Sequence, residues 1–239
     1  MEEIFLSKSK LLAWMRCPYQ FKLRFIDGLE TETTVPMQVG LVFHEFANAF
    51  FEQSSPESMD LLLDKSHREL YLSEVLSAFP KLVRTPIANF VNFEANRWQT
   101  CKELFDDPWE YYYPKAIELT LMNTRLKLTG KIDRIDRLST DGYILLEYKV
   151  SQTAFRLSDL RKELGFYTLL ARLHDWDIRR IGVYNPLRNV YWTESVTERL
   201  LNRMSKKIEE CRRSIKTNSY PKKEGFWCFF CPVKEFCVT

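Results

Sequence analysis

The sequence predicts an α/β fold in which a central mixed β-sheet is flanked by helices. Three observations carry this expectation. Two alternating strands, 130–136 and 143–149, are joined by the turn-forming Ser139-Thr140-Asp141-Gly142. Helical apolar periodicity dominates the chain before that pair. After it, a helical pattern over 157–172 leads into strands at 179–186 and 190–195 and a helix over 197–216. At 239 residues the chain reads as a single domain over 1–239, with a helical insert near 55–107 and a cysteine-bearing C-terminal segment near 217–239. A chain of this length buries roughly 70–75% of its unfolded surface, so its core needs no disulfide support.

Composition narrows the function classes. Hydrophobic residues make up 45% of the chain, and no apolar run reaches the ~18–20 residues needed to span a bilayer. Met1-Glu2-Glu3 opens acidic with no apolar signal core behind it, so a cytoplasmic protein is expected. There the six cysteines would be thiols or metal ligands. The net charge of +3 is too small to argue for a nucleic-acid partner. Its distribution says more: residues 199–223 carry nine Lys/Arg against Glu209 and Glu210, +7 in 25 residues. Such a stretch is either a solvated helix face or a surface that tracks phosphates.

Taken in order, residues 7–26 are helical, with Ser7 or Ser9 as cap and a break or kink at Cys17-Pro18. A helix beginning at Gly40 presents Leu41, Phe43, Phe46, Ala47 and Phe50 on its apolar side, with His44 beside them. That histidine is either a hydrogen-bonded core residue or a metal ligand; His67 and His174 have no comparable setting. Helices over 60–79 and 86–106 are ended or separated by Pro80, Pro86 and Pro108. A strand near 115–122 carries Glu118 one ladder away from the hairpin.

The hairpin carries chemistry. Tyr143, Leu145, Glu147 and Lys149 share one face, and Ile144, Leu146, Tyr148 and Val150 the other. An acid and a lysine on an otherwise apolar strand are costly to bury without partners. A divalent cation would provide one, with Asp133 as a second ligand. This requires Asp133 and Glu147 to share a face, hence an odd-length loop around Thr140 or a bulge; a two-residue turn at Asp141-Gly142 would separate them. Solvent-facing charges are the alternative. In the tail, Cys228, Cys231 and Cys237 fall as C-x2-C-x5-C, a metal- or cluster-site spacing. Cys17, also followed by proline, is the best fourth ligand; Cys101 and Cys211 lie within helical patterns. Zinc and an iron–sulfur cluster both suit four thiolates.

Together these residues resemble the RecB-like branch of the PD-(D/E)xK nuclease superfamily, and most closely the CRISPR-associated protein four family, nucleases of spacer acquisition. The resemblance covers nearly the whole chain. Cys17-Pro18-Tyr19 is similar to that family's N-terminal cysteine segment, Gly40…His44 to its histidine motif, Gly130-Lys131-Ile132-Asp133 to its metal-aspartate motif, Glu147-Tyr148-Lys149 to its E-x-K motif, and Cys228, Cys231 and Cys237 to its C-terminal ligands. The family's Q-x-x-x-Y is altered: Glu163 stands where glutamine is usual, and Tyr167 is retained. Ionised glutamate only accepts hydrogen bonds, so the DNA contact or lysine orientation attributed to that position is in doubt; Lys149 or Arg161 would offset its charge.

The resemblance implies a restriction-endonuclease-like core whose terminal segments are joined by a 4Fe–4S cluster on Cys17, Cys228, Cys231 and Cys237. That cross-link closes a loop of more than 200 residues and would restrict the unfolded chain by on the order of 5 kcal/mol. It implies Mg²⁺ or Mn²⁺ on His44, Asp133, Glu147 and the Tyr148 carbonyl, with Lys149 orienting the attacking water. The implied activity is a metal-dependent deoxyribonuclease, an exonuclease on single-stranded DNA or DNA ends, with CRISPR integrase subunits as partners and no membrane. A RecB-like repair nuclease outside CRISPR and a non-catalytic, zinc-containing nucleic-acid-binding module remain alternatives.

Overall fold

The computed structural model describes residues 4–31 and 34–237. Helix α1 (Lys8–Arg16) is capped by the Ser7 hydroxyl and ends at Cys17, whose extended backbone lets Pro18 open the short α2 (Pro18–Phe21). Proline is tolerated at a first helical position because its missing N–H would be unsatisfied there anyway. A π-helical turn, Lys22–Ile26, follows. Helix α3 spans Val35–Glu52, starting a turn before the Gly40 expected from the sequence. Pro36 supplies an alternative first-turn proline that the apolar pattern does not mark.

The insert departs further from expectation. Asp64 is extended and caps the next helix, so one predicted helix over 60–79 becomes α4 (Pro56–Leu63) and α5 (Lys65–Ser77). Conversely, α6 (Lys81–Leu104) runs straight through Pro86. The carbonyl that loses its bond belongs to Leu82, an exposed residue near the start of the helix. Helix α7 (Pro108–Tyr112) completes this group.

Strands β1 (Ala116–Asn123), β2 (Leu128–Arg137) and β3 (Tyr143–Tyr148) are sequential and antiparallel. Helix α8 (Leu157–Arg172) crosses over to β4 (Ile178–Asn185), which lies parallel to β3. Strand β5 (Val190–Ser195) pairs antiparallel with β4, and α9 (Glu198–Lys216) closes the succession. The sheet order is β1-β2-β3-β4-β5, mixed as predicted.

One face of the sheet packs on α1, α8 and α9 through Leu11, Leu164, Leu170, Met204 and Cys211 against Ile135, Leu145 and Ile181. The other carries Tyr148 and Tyr184 into an aromatic core of Phe43, Phe50, Phe51, Phe90 and Trp98 from α3 and α6. Buried on that second side, Arg134 pairs with Glu94 at 2.6 Å and Asp136 at 2.7 Å, and donates to the Tyr148 hydroxyl at 3.2 Å. Among the described residues, no helix is long and apolar enough to cross a membrane.

Candidate active site

The site forms where β2 and β3 part. Arg134 opposes Leu146 and Ile135 opposes Leu145; the connection 138–142 is odd in length and centred on Thr140. Continuing this register sets Asp133 against Glu147, as the shared-face argument requires. The paired ladder stops at Arg134. Beyond it the Asp133 carboxylate replaces a backbone acceptor: its Oδ2 takes the Tyr148 N–H at 2.7 Å. A carboxylate in such a place leaves its second oxygen free for a ligand.

Two elements bring further donors to that oxygen. From α3, His44 Nδ1 lies 3.6 Å from Asp133 Oδ1 and 3.0 Å from Glu118 Oε1. From β1, Glu118 reaches this position through a left-handed backbone (φ 49°), a conformation disfavoured for glutamate and tolerated where the surroundings impose it. His44, Glu118 and Asp133 each offer a ligand atom within 4.8 Å of the other two. Lys131 pairs with the second oxygen of Glu118. Glu147 completes the acidic wall. Its Oε1 accepts Lys149 at 3.0 Å and Lys8 at 2.5 Å, while its Oε2 is buried with no hydrogen-bond donor.

Electrostatics follow from this crowding. Burial, then the neighbouring Glu147 charge, push the Asp133 carboxyl up to about 7. Burial works against the Glu147 charge too, but Lys149 and Lys8 hold its carboxyl below the ordinary range. Burial would lower the His44 imidazole; its bond to Glu118 and the Asp133 charge outweigh this and raise it. Burial likewise opposes the Lys8 ammonium, and Glu147 and Glu163 raise its pKa.

Helix α8 closes the remaining side. Glu163 Oε2 lies 2.6 Å from Lys149 Nζ and 3.6 Å from Lys8 Nζ, and the Tyr167 ring lies under Lys8 at 4.9 Å. Arg161, the other expected partner of Glu163, instead forks onto Glu194. Gly130 lets α8 come this close: a Cβ there would stand 2.9 Å from the Tyr167 ring and 3.0 Å from Leu170. The Tyr148 side chain points to the opposite face, among Phe43, Phe90 and Arg134, where its ring meets the edge of His44 at 5.7 Å between centroids; its backbone borders the acidic side of the site.

A family model for the PD-(D/E)XK nuclease superfamily matches residues 6–238. The chain belongs to the PD-(D/E)XK nuclease superfamily. Members use divalent metals, and the donor set here fits one: an imidazole with the Asp133 and Glu118 carboxylates is the oxygen-rich surrounding that hard cations take; Glu147, with its orphaned Oε2, stands outside that three-residue group. Among solved structures, a "Putative exonuclease" from Eubacterium rectale is 11% identical, with a TM-score of 0.49 over 98% of this chain and 88% of its own. The protein SSO0001 is 13% identical, with a TM-score of 0.44 over 99% of this chain and 87% of its own. No curated protein matches this sequence.

The structure thus brings His44, Asp133, Glu147, Lys149, Glu163 and Tyr167 together. Sequence reasoning placed Glu118 too far away and did not single out Lys8. Sheet order could have signalled Glu118, since β1 borders β2. The four cysteines are elsewhere. Cys17, Cys228, Cys231 and Cys237 line one cavity of about 460 Å³, rimmed by Lys222, Lys223 and Lys234. The Lys223 backbone N–H donates to Cys17 Sγ at 3.4 Å, so the tail runs along the end of α1. Among the described residues no three thiols gather within 4.8 Å. Cys101 and Cys211 are buried in α6 and α9, apart from that cavity.

Proposed function

We propose that the chain is a metal-dependent deoxyribonuclease that removes nucleotides from DNA ends or single strands, a RecB-like nuclease of the CRISPR-associated protein four type acting in spacer acquisition. One observation carries the nuclease reading: His44, Glu118 and Asp133 bring three ligand atoms within 4.8 Å of one another, with the buried Glu147, whose Oε2 has no donor, near enough for its charge to act on Asp133 and His44. An anionic oxygen in that setting lacks only a cation. His44, Asp133 and Glu147 would hold Mg²⁺ or Mn²⁺, with Glu118 added and the Tyr148 carbonyl as a further donor. The bound cation supplies Lewis acidity to the scissile phosphate and to the attacking water. Lys149 orients that water and offsets charge gathering on the phosphate oxygens. Glu147 fixes Lys149 from one side and Glu163 from the other. The exposed Arg199, Arg203, Lys206, Arg213 and Lys216 of α9 supply a phosphate-tracking face.

The finer placement is supported by the order of the five motifs and by four thiols facing one cavity from both ends of the chain. We assign Cys17, Cys228, Cys231 and Cys237 to a 4Fe–4S cluster. An integrase subunit is the partner this role requires.

The test is cleavage of end-labelled and circular DNA, single- and double-stranded, with Mg²⁺ or Mn²⁺. The reading expects metal-dependent loss of label from linear DNA, abolished in Lys149→Ala, and a brown protein after anaerobic purification. No cleavage with either metal would remove the nuclease assignment. Cleavage of circles would remove exonuclease action, and a colourless, zinc-loaded protein the cluster.

A further inference from the structure

Lys8 has no counterpart among the motifs that point to a nuclease, yet it is built into the site. It is the first residue of α1, where the helix dipole disfavours a cation, and that first turn contains no acid to compensate. Its position is nevertheless fixed. Leu6, fully buried, bridges to Leu128: its N–H donates to the Lys127 carbonyl at 2.8 Å and its carbonyl accepts the Thr129 N–H at 3.0 Å. Two residues on, the Lys8 ammonium enters the site with its side chain only 20% exposed.

There the four groups alternate in charge. Lys8 and Lys149 share Glu147 Oε1, at 2.5 and 3.0 Å, and share Glu163 Oε2, at 3.6 and 2.6 Å. This exposes a conflict in the resting site. Lys149 is needed at the substrate phosphate, but two carboxylates hold it. Were it the only cation present, its departure would leave the buried Glu147 and the half-buried Glu163 uncompensated.

We propose that Lys8 is a positioning residue: it stays behind as counter-ion to Glu147 and Glu163, so that Lys149 can turn from them to the substrate. Lys8 thereby balances the charge that Glu163 adds at a position where an uncharged glutamine would need no second lysine. This role rests on the nuclease reading above.

The experiment compares wild type, Lys8→Met, Lys8→Arg, Glu163→Gln and the Lys8→Met/Glu163→Gln pair. It measures Mn²⁺ affinity by calorimetry, kcat and KM for DNA cleavage, and melting temperature. Lys8→Met removes a positive charge beside Glu147 and should tighten Mn²⁺ several-fold while lowering kcat by about tenfold or more. Adding Glu163→Gln should restore most of that kcat, because Lys149 then leaves only one carboxylate; Lys8→Arg should stay near wild type. Glu163→Gln alone should weaken Mn²⁺ several-fold, which keeps the test open if Lys8→Met fails to fold. Wild-type Mn²⁺ affinity and kcat in Lys8→Met, a kcat loss that Glu163→Gln does not relieve, or unchanged Mn²⁺ affinity in Glu163→Gln would overturn the proposal while leaving the nuclease intact. Wild-type protein that binds Mn²⁺ but cleaves no DNA would overturn the nuclease reading, and this role with it.

Discussion

Metal affinity should rise steeply as pH rises through 7. The Asp133 carboxyl titrates at about 7 in the cation-free site, and the His44 imidazole lies above its ordinary value. Both must lose a proton before they can ligate, so protons and metal compete. Between pH 8 and pH 6, Asp133 passes from about nine-tenths ionised to about one-tenth, which alone weakens Mn²⁺ binding about tenfold, or about 1.4 kcal/mol. His44 adds to this in the same direction. Calorimetry at both pH values, in two buffers of different ionisation enthalpy, would give the affinity and the protons released. The expected result is release of at least half a proton near pH 7, reduced in Asp133→Asn. A flat affinity from pH 6 to 8 with no proton release would refute the electrostatic account of the pair. Stability should move oppositely. An acid whose folded pKa is raised favours the fold while protonated, and so does a raised histidine, so the cation-free melting temperature should fall as pH rises from about 5.5 to 8. Mn²⁺ should restore it at pH 8.

Other perturbations test other parts of the molecule. Arg134→Met leaves Glu94 and Asp136 without their main buried counter-ion, and should cost about 3–5 kcal/mol, lowering the melting temperature by about 10 °C; a shift under about 2 °C would show that Arg97, which lies 2.8 Å from Glu94 and 3.9 Å from Asp136, suffices. Glu118→Gln removes the carboxylate that orients His44, and a 10- to 100-fold loss of Mn²⁺ affinity is expected by titration. Cys17→Ser should lower both iron content and melting temperature in anaerobically prepared protein. Lost iron with an unchanged melting temperature would show that the thiols do not fasten the chain ends.

The hairpin was legible because side-chain parity along strands is rigid. Once Asp133 and Glu147 had to share a face, the even register and the odd loop around Thr140 followed, and both are present. The crossover helix 157–172 was legible for the same kind of reason, a clean apolar stripe ending in Arg172. The rest of the site was hidden by conformations that local preference argues against. Glu118 sits in the left-handed region, which nothing about a glutamate within a strand suggests. Lys8 occupies a helix start that normally favours acids. In the insert, Asp64 acts as a cap between two helices where the apolar pattern runs on, and Pro86 is carried inside a helix whose first turns include the exposed Leu82.

The parting of β2 and β3 gives Asp133 two employments. On the proposed reading one oxygen is a metal ligand, while the other is a stitch closing the seam where the strands stop pairing. Alanine at this position would therefore remove a ligand and open the sheet at once, so its inactivity would have two causes. Asparagine keeps an acceptor for the Tyr148 N–H and removes only the charge. At this one residue the fabric of the fold and the chemistry of the site separate only through that more conservative change.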